Sequence, residues 1–446
     1  MFSQSREETD AKKGGGSLES VAMDEVWRLL RDVPLPKMIP VLQHFAGPVV
    51  GDVRQAVRRA IARERLEQRI QPGARVAVGV GSRGIANLPD LVAAVIQVLH
   101  DGGANPFVFP AMGSHGGATA QGQQDMLAHL GVSEQTVGAP VRATMETVQV
   151  GTSASGLPVF VDRDAAMADG IVWINRIKPH TSFHGAVESG LLKMMVIGFG
   201  KQKGADVAHA MGFAHIEERM LDIAPVLQRR LPLWFAVGVL ENAQDVTAKV
   251  VALPPEQLLD RERQLLSEAR RLMPKIDLNP LDVLVVDEIG KNISGVGLDP
   301  NITGRYPNDL VKGELTVDKL AVLRLTQETD GNAAGIGLAD VTTAVAEKQI
   351  DRRKGYVNSL TSTTMTTVKV PMVLPNDRLA LQAALKTCHA DWPKVRVVRI
   401  HNTLHLEKIW VSEGLLEAVK IHPYMEVTGP AQEWSFDNLG NLTDLS

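Results

Sequence analysis

"RVAVGVGSRGIANLPDLVAAVIQVLHDGG", residues 75–103, reads as a strand, a turn and a helix in direct succession. "RVAVGVG" (75–81) is a short, continuous apolar run, the signature of a strand buried on both faces. "SRGIAN" supplies turn residues. "LPDLVAAVIQVLHDGG" then carries helical periodicity, with Ser82 or Asn87 as capping options and Gly102-Gly103 as the stop. The same grammar follows at once: "NPFVFPAMG" (105–113) is a strand, "SHGGAT" a loop and "AQGQQDMLAHLG" (120–131) a helix. After a less regular section, "GIVWIN" (170–175) is a third strand. Strands alternating with helices predict a parallel α/β sheet.

A second pass begins near residue 280. "LDVLVVDEIG" (281–290), "KLAVLRLT" (319–326) and "KVRVVRI" (394–400) read as strands, and "LADVTTAVAEKQ" (338–349) and "DRLALQAALKTC" (377–388) as helices. Between the halves lies "PEQLLDRERQLLSEARRLMPKIDLNP" (255–280), an amphipathic charged helix that ends in proline-containing text. The expected architecture is two α/β domains with largely parallel sheets and an active-site cleft between them. Residues 1–16 form a disordered tail, 17–275 the first domain and 276–446 the second.

Composition narrows the function. The chain has 446 residues, 44% hydrophobic and 22% charged, with a net charge of −4. A nucleic-acid footprint needs a basic stripe, and base stacking needs more aromatics than the 4% present. Cys388 is the one cysteine, so neither an intramolecular disulfide nor a thiolate metal cluster can form. "MFSQSREETDAKKGGGS" lacks the apolar core of a signal peptide, and no apolar run approaches the ~18 residues of a membrane span. The expectation is a cytoplasmic protein that engages neither membrane nor nucleic acid.

In open parallel sheets the loops at the carboxyl ends of the strands share one crevice. Arg83 follows the first strand, His115 the second and His180 the third, while Lys291 follows the first strand of the second half. "KPHTSFHGAVESGLLK" (178–193) adds His184, Glu188 and Lys193. The glycine runs "GSRG", "GSHGG" and "GFGKQKG" can bring backbone N–H groups close to an anion, with Lys201 and Lys203 adding charge, although none matches a Walker loop. Plainer readings exist: Arg83 as a surface charge, His184 as a loop residue, Lys193 as a snorkelling lysine, His209 as a partly buried helix histidine. His401 and His405 share a face only on a helix, and their surroundings read as strand. The residues alone leave three classes open. One is an enzyme with two acid–base histidines. Another is a metal-dependent lyase or hydrolase with His115, His180 and His209 as direct ligands. The third is a non-catalytic module that binds a phosphorylated metabolite.

The ordered set Arg83, "MGSHGG" with His115, "KPH" with His180, Lys193 and His209 resembles the lactate racemase family, from about residue 75 into the C-terminal half. That resemblance implies a 2-hydroxyacid racemase or epimerase that works by reversible hydride transfer to a nickel-pincer nucleotide, supplied by separate maturation proteins. It implies covalent attachment of the cofactor at Lys193, nickel ligation by His209, acid–base roles for His115 and His180, and substrate binding by Arg83 and Lys291. Lys201 and Lys203 are added as cofactor contacts and His184 as a substrate contact. Two stretches depart from the family pattern: "TSFHGAVESGLL" replaces an aromatic, glycine-rich run, and "KNISG" lacks a Tyr-Gln pair ahead of the lysine. Both fall where the substrate side chain would lie, so the expected substrate is larger than lactate, such as a sugar acid.

Overall fold

The computed structural model describes residues 18–82 and 84–444; the tail 1–16 and Arg83 lie outside the described residues. The first strands along the chain are β1 Met38–Gln43, β2 Arg75–Val80, β3 Asn105–Pro110, β4 Thr147–Thr152, β5 Pro158–Asp162, β6 Gly170–Arg176, β7 Leu233–Glu241 and β8 Thr247–Leu253. Five of them form a sheet in the order β3-β2-β6-β7-β8, parallel except for β8, while β4 and β5 make a separate hairpin. Helix α1, Leu88–Asp101, crosses from β2 to β3, and α2, Ala120–His129, follows β3, as their periodicity predicts.

Because side chains alternate across a strand, each apolar strand feeds two cores. Val76, Val78 and Val80 of β2 join Leu91 and Val95 of α1 on one face. Ala77, with Phe109 and Trp173 from the neighbouring strands, joins Phe199 and Met195 on the other. The helices on that second face are α3, Lys201–His209, α4, Ile216–Arg230, and α5, Leu258–Leu272. This doubly covered, mostly parallel sheet leaves the carboxyl ends of β2, β3 and β6 as neighbouring loops.

The remaining strands are β9 Leu281–Ile289, β10 Val317–Leu325, β11 Val341–Thr343, β12 Met372–Leu374, β13 Val397–Ile400, β14 Lys408–Ser412 and β15 Met425–Val427. They form a second sheet in the order β12-β11-β10-β9-β13-β14-β1-β15, parallel from β12 to β13 and antiparallel beyond. The α/β class and the largely parallel sheets are as expected. Two details are corrected. "LADVTTAVAEKQ" divides into β11 and a short helix, Ala344–Lys348, because the β-branched Val341, Thr342 and Thr343 pair with β10 and β12. The N-terminal segment, assigned to the first domain with everything up to 275, instead places β1 between β14 and β15. No described helix is long and apolar enough to cross a membrane.

Candidate active site

Three loops and one helical run build the site. β6 ends at Arg176, and the chain passes through Lys178 and His180 before turning back to Ser189, whose carbonyl accepts the Lys178 amide proton at 2.8 Å. A helical turn, Leu191–Lys193, runs into a π-helical turn, Met194–Gly198, and then into α3, which ends on His209. π-turns widen a helix locally and recur at functional sites. Here one sits between Lys193 and His209. The run packs against the loop after β3: the Gly113 amide donates to the Gly198 carbonyl at 3.2 Å. A Cβ on Gly198 would stand 2.5 Å from the Ala111 carbonyl oxygen, so only glycine permits the approach.

His180 is buried, its ring packed at a tilt against Phe183 at 4.4 Å, with Phe213 at 5.6 Å. Its Nδ1 accepts the Ser182 amide proton at 3.0 Å, which fixes the proton of the neutral ring on Nε2. Burial, and then the charges of Lys193, His209, Lys178 and His184, push its pKa well below the ordinary histidine value. Lys193 lies with its Nζ 6.0 Å from the Phe183 ring centre. His209 donates Nδ1–H to the Ala205 carbonyl at 2.8 Å, leaving the Nε2 lone pair as its ligating atom. Burial first and Lys193 second lower its pKa, so the ring is held neutral. His180, Lys193 and His209 thus share one electrostatic neighbourhood.

His115 stands exposed after β3, with Nδ1 hydrogen-bonded to the Ser82 hydroxyl at the end of β2. A hydroxyl can donate or accept, so this partner tolerates either tautomer. His184 places Nδ1 3.1 Å from both oxygens of Glu188 and Nε2 3.0 Å from the hydroxyl of Tyr306, which belongs to the second layer, the part of the molecule built on the second sheet. Lys291 donates its Nζ to the Gly295 carbonyl at 2.5 Å and its amide to Thr329, within the second-layer loops.

Lys201, expected as a cofactor contact, is instead fully buried. Its side chain has no solvent contact, pairs with the buried Asp162 at 3.0 Å and donates to the Pro110 carbonyl and the Gln123 side chain at 2.5 and 2.9 Å. Gln123 in turn donates to the Gly113 and His115 carbonyls, so Lys201 supports the His115 loop from beneath. Lys203 is exposed, its Nζ 5.7 Å from the Phe160 ring centre on the β4–β5 hairpin.

Glu188 is the residue whose weight sequence reasoning missed. It is 1% exposed and accepts the His180 amide at 2.6 Å, the Gly185 amide at 3.1 Å, His184 Nδ1 and the Arg270 guanidinium. Burial pushes its carboxyl up, but the hydrogen bonds from His184, His180 and Gly185 outweigh that and leave its pKa lowered. Its position four residues after His184 is the only sequence signal. Tyr306, Asn301 and Arg270 carried none. Around the same strand ends, Arg176 pairs with Glu241 and Lys178 with Asp299, at 3.5 Å for the latter. Burial, then Glu241, raises Asp245 to about 6.

Among the described residues no three His, Cys, Asp or Glu side chains stand close enough together to hold a metal ion. The expectation of direct ligation by His115, His180 and His209 as a set therefore has no geometric support. A donor set of one neutral histidine with a neighbouring lysine fits a group that brings its own donors.

Residues 41–220 match the family model of the lactate racemase N-terminal domain, a span that holds His115, His180, Lys193 and His209. No curated protein matches the chain. Among solved structures, the lactate racemase apoprotein from Thermoanaerobacterium thermosaccharolyticum aligns over 82% of this chain and 88% of its own, at 14% identity and a TM-score of 0.45. Over residues 41–220, then, the chain is similar to the N-terminal domain of lactate racemase.

Proposed function

We propose that the protein racemises or epimerises a 2-hydroxy acid larger than lactate, such as a sugar acid, with a nickel-pincer nucleotide held by Lys193 and His209. The observation that carries the reading is the gathering of His180, Lys193 and His209 around the Phe183 and Phe213 rings, at 4.4 to 6.0 Å from them, inside the family-matched segment. Lys193 supplies an amine for covalent attachment, and His209 a neutral Nε2 to complete the metal's coordination. When bound, the group supplies a reversible acceptor for the Cα hydrogen, so no carbanion need form beside a carboxylate.

The protein's own part is proton handling. His115 and His180 come from the ends of different strands, β3 and β6, which suits two faces of one carbon. His115 is the group ready to take the hydroxyl proton, because Ser82 lets its ring exchange tautomers. His180 meets a substrate oxygen as an Nε2–H donor. To act as a base it must first move that proton to Nδ1, and so give up the Ser182 amide. The paired charges Arg176–Glu241 and Lys178–Asp299, with Asp245 beside them, make a polar surround suited to hydroxyl groups rather than a methyl.

The test is intact mass and metal content after co-expression with the maturation machinery. A nucleotide-sized mass gain with nickel, absent from Lys193→Ala, is expected. His115→Ala and His180→Ala should keep the mass gain and lose turnover by roughly 100-fold or more. Unmodified protein, in a host that matures a known racemase, would sink the reading.

A further inference from the structure

The loop 178–188, which carries His180, is gripped from the second layer. Asn308 donates its side-chain amide to the Ser182 carbonyl at 2.8 Å, and Asn301 to the His180 carbonyl at 3.4 Å. Between them runs a chain of hydrogen bonds whose protons can be counted. Asn301 Nδ2 also donates to the Asp299 carboxylate at 2.8 Å, which leaves Asn301 Oδ1 as a pure acceptor facing the Tyr306 hydroxyl at 2.9 Å. Tyr306 has one proton, and burial, then the Asp299 and Glu188 charges, hold it on the oxygen. That proton goes to Asn301, so the Tyr306 oxygen must accept from His184 Nε2. His184 Nδ1 faces Glu188, a carboxylate already taking protons from two amides and Arg270. Both ring nitrogens of His184 therefore donate.

We propose that Tyr306 is a positioning residue for His180, acting through a doubly protonated His184 and the Glu188 carboxylate that pins the His180 amide. This rests on the functional reading above for the role of His180, but not for the clamp. In this arrangement the second layer contributes to catalysis through the backbone of the loop rather than through the His180 ring: closing the Tyr306–His184 contact completes the loop in which His180 keeps its Nε2–H tautomer. The Glu217 carboxylate, which accepts the Ala186 amide at 2.6 Å, holds the same loop from the first layer, so the loop stays folded when Tyr306 lets go.

The experiment uses the full chain, wild type and Tyr306→Phe, with Asn308→Ala as an independent variant that loosens the second layer's grip on the same loop at the Ser182 carbonyl. Expected are protons on both 15N-labelled ring nitrogens of His184 in the wild type. In Tyr306→Phe and Asn308→Ala, amide exchange at Ser182 and Gly185 should be at least roughly tenfold faster, with the β2 and β6 amides unchanged. Turnover of the 2-hydroxy acid should fall by roughly tenfold to a hundredfold in kcat, with KM and nickel loading unchanged. A single protonated nitrogen on His184, or unaltered exchange in both variants, would overturn the clamp. A kcat equal to wild type alongside faster exchange would overturn the positioning role. A wild type that loads nickel and shows the clamp, yet racemises no 2-hydroxy acid, would instead overturn the functional reading.

Discussion

An ammonium without solvent contact needs three acceptors, and Lys201 has them in Asp162, the Pro110 carbonyl and Gln123. Asp162 is equally buried and also caps the helix Arg163–Ala166 through the Asp164 and Ala165 amides. Burial raises the pKa of Asp162 and lowers that of Lys201, so each depends on the other to stay charged. Removing one partner strands the other: Lys201→Ala should cost about 3–5 kcal/mol in urea unfolding, whereas Lys201→Met with Asp162→Asn should recover much of it. The double variant falling below the single one would show the pair to be more than mutual compensation. In the sequence, "GFGKQKG" looks like an anion nest, because glycine and lysine are the residues such nests use. What directs Lys201 inward is its left-handed backbone, φ 53°, just after the π-turn, and neither leaves a trace in composition. The placement of His115 and His180 just after strand ends, by contrast, was legible, because strand ends follow from apolar periodicity.

At the level of elements, the helical turn bearing Lys193 is fixed by α5. Glu262 on α5 is 1% exposed and accepts the Leu192 amide at 2.8 Å. A Cβ on Gly190 would meet Glu262 Oε1 at 2.1 Å, so the carboxyl reaches the turn only past a glycine. Burial raises Glu262 from 4.5 to about 7, against the pull of the neighbouring backbone amides. The folded protein thus keeps a proton that the unfolded chain has already lost. The stability from this proton is fully present below about pH 4.5 and is lost as pH rises through about 7, on the order of 3 kcal/mol in all. Glu262→Gln should flatten that part of the profile, read as the difference between the two proteins in denaturant unfolding at about pH 5 and about pH 8. Identical slopes would mean that Glu262 is not proton-linked to folding. The helix itself was legible from "PEQLLDRERQLLSEARRL", yet Glu262 was not. An amphipathic pattern says which stripe is apolar, and a single carboxylate turned into that stripe looks like any other charge. β1 and β11 were missed for a related reason: "MIPVLQ" and "VTT" are too short to announce a strand until a partner is beside them.

For the molecule as a whole, the division near residue 275 is a crossing point rather than a cut. The segment before β1 lies in the second layer, where Leu30 is buried against α-helical and strand residues of that layer, and the Val33 carbonyl accepts from Gln382 at 2.9 Å. β1 then pairs with β14 over Met38 to Leu42 and with β15 over Val41 to Gln43. Only afterwards does the chain enter the first sheet, to return at β9. Met38 fills one face of the second sheet, and Ile39 and Val41 fill the other. At about 1.5–3 kcal/mol for each such buried side chain, the three together rival the whole stability of an ordinary domain. A fragment of residues 276–446 would also expose the β14 edge and leave β15 without its partner, which invites association between chains. Expressed alone, that fragment should therefore be aggregated or unfolded by size-exclusion chromatography and circular dichroism. A peptide spanning residues 34–45, supplied in trans, should restore a monodisperse folded form, and the same peptide with Ile39→Asp should not. A fragment that folds without the peptide would show that β1 only decorates a sheet complete in itself. The active-site clamp gives this connectivity its functional weight: Asn301, Tyr306 and Asn308 follow β9, whose sheet is completed by β1, so the grip on the His180 loop depends on a strand that precedes the first sheet in the chain.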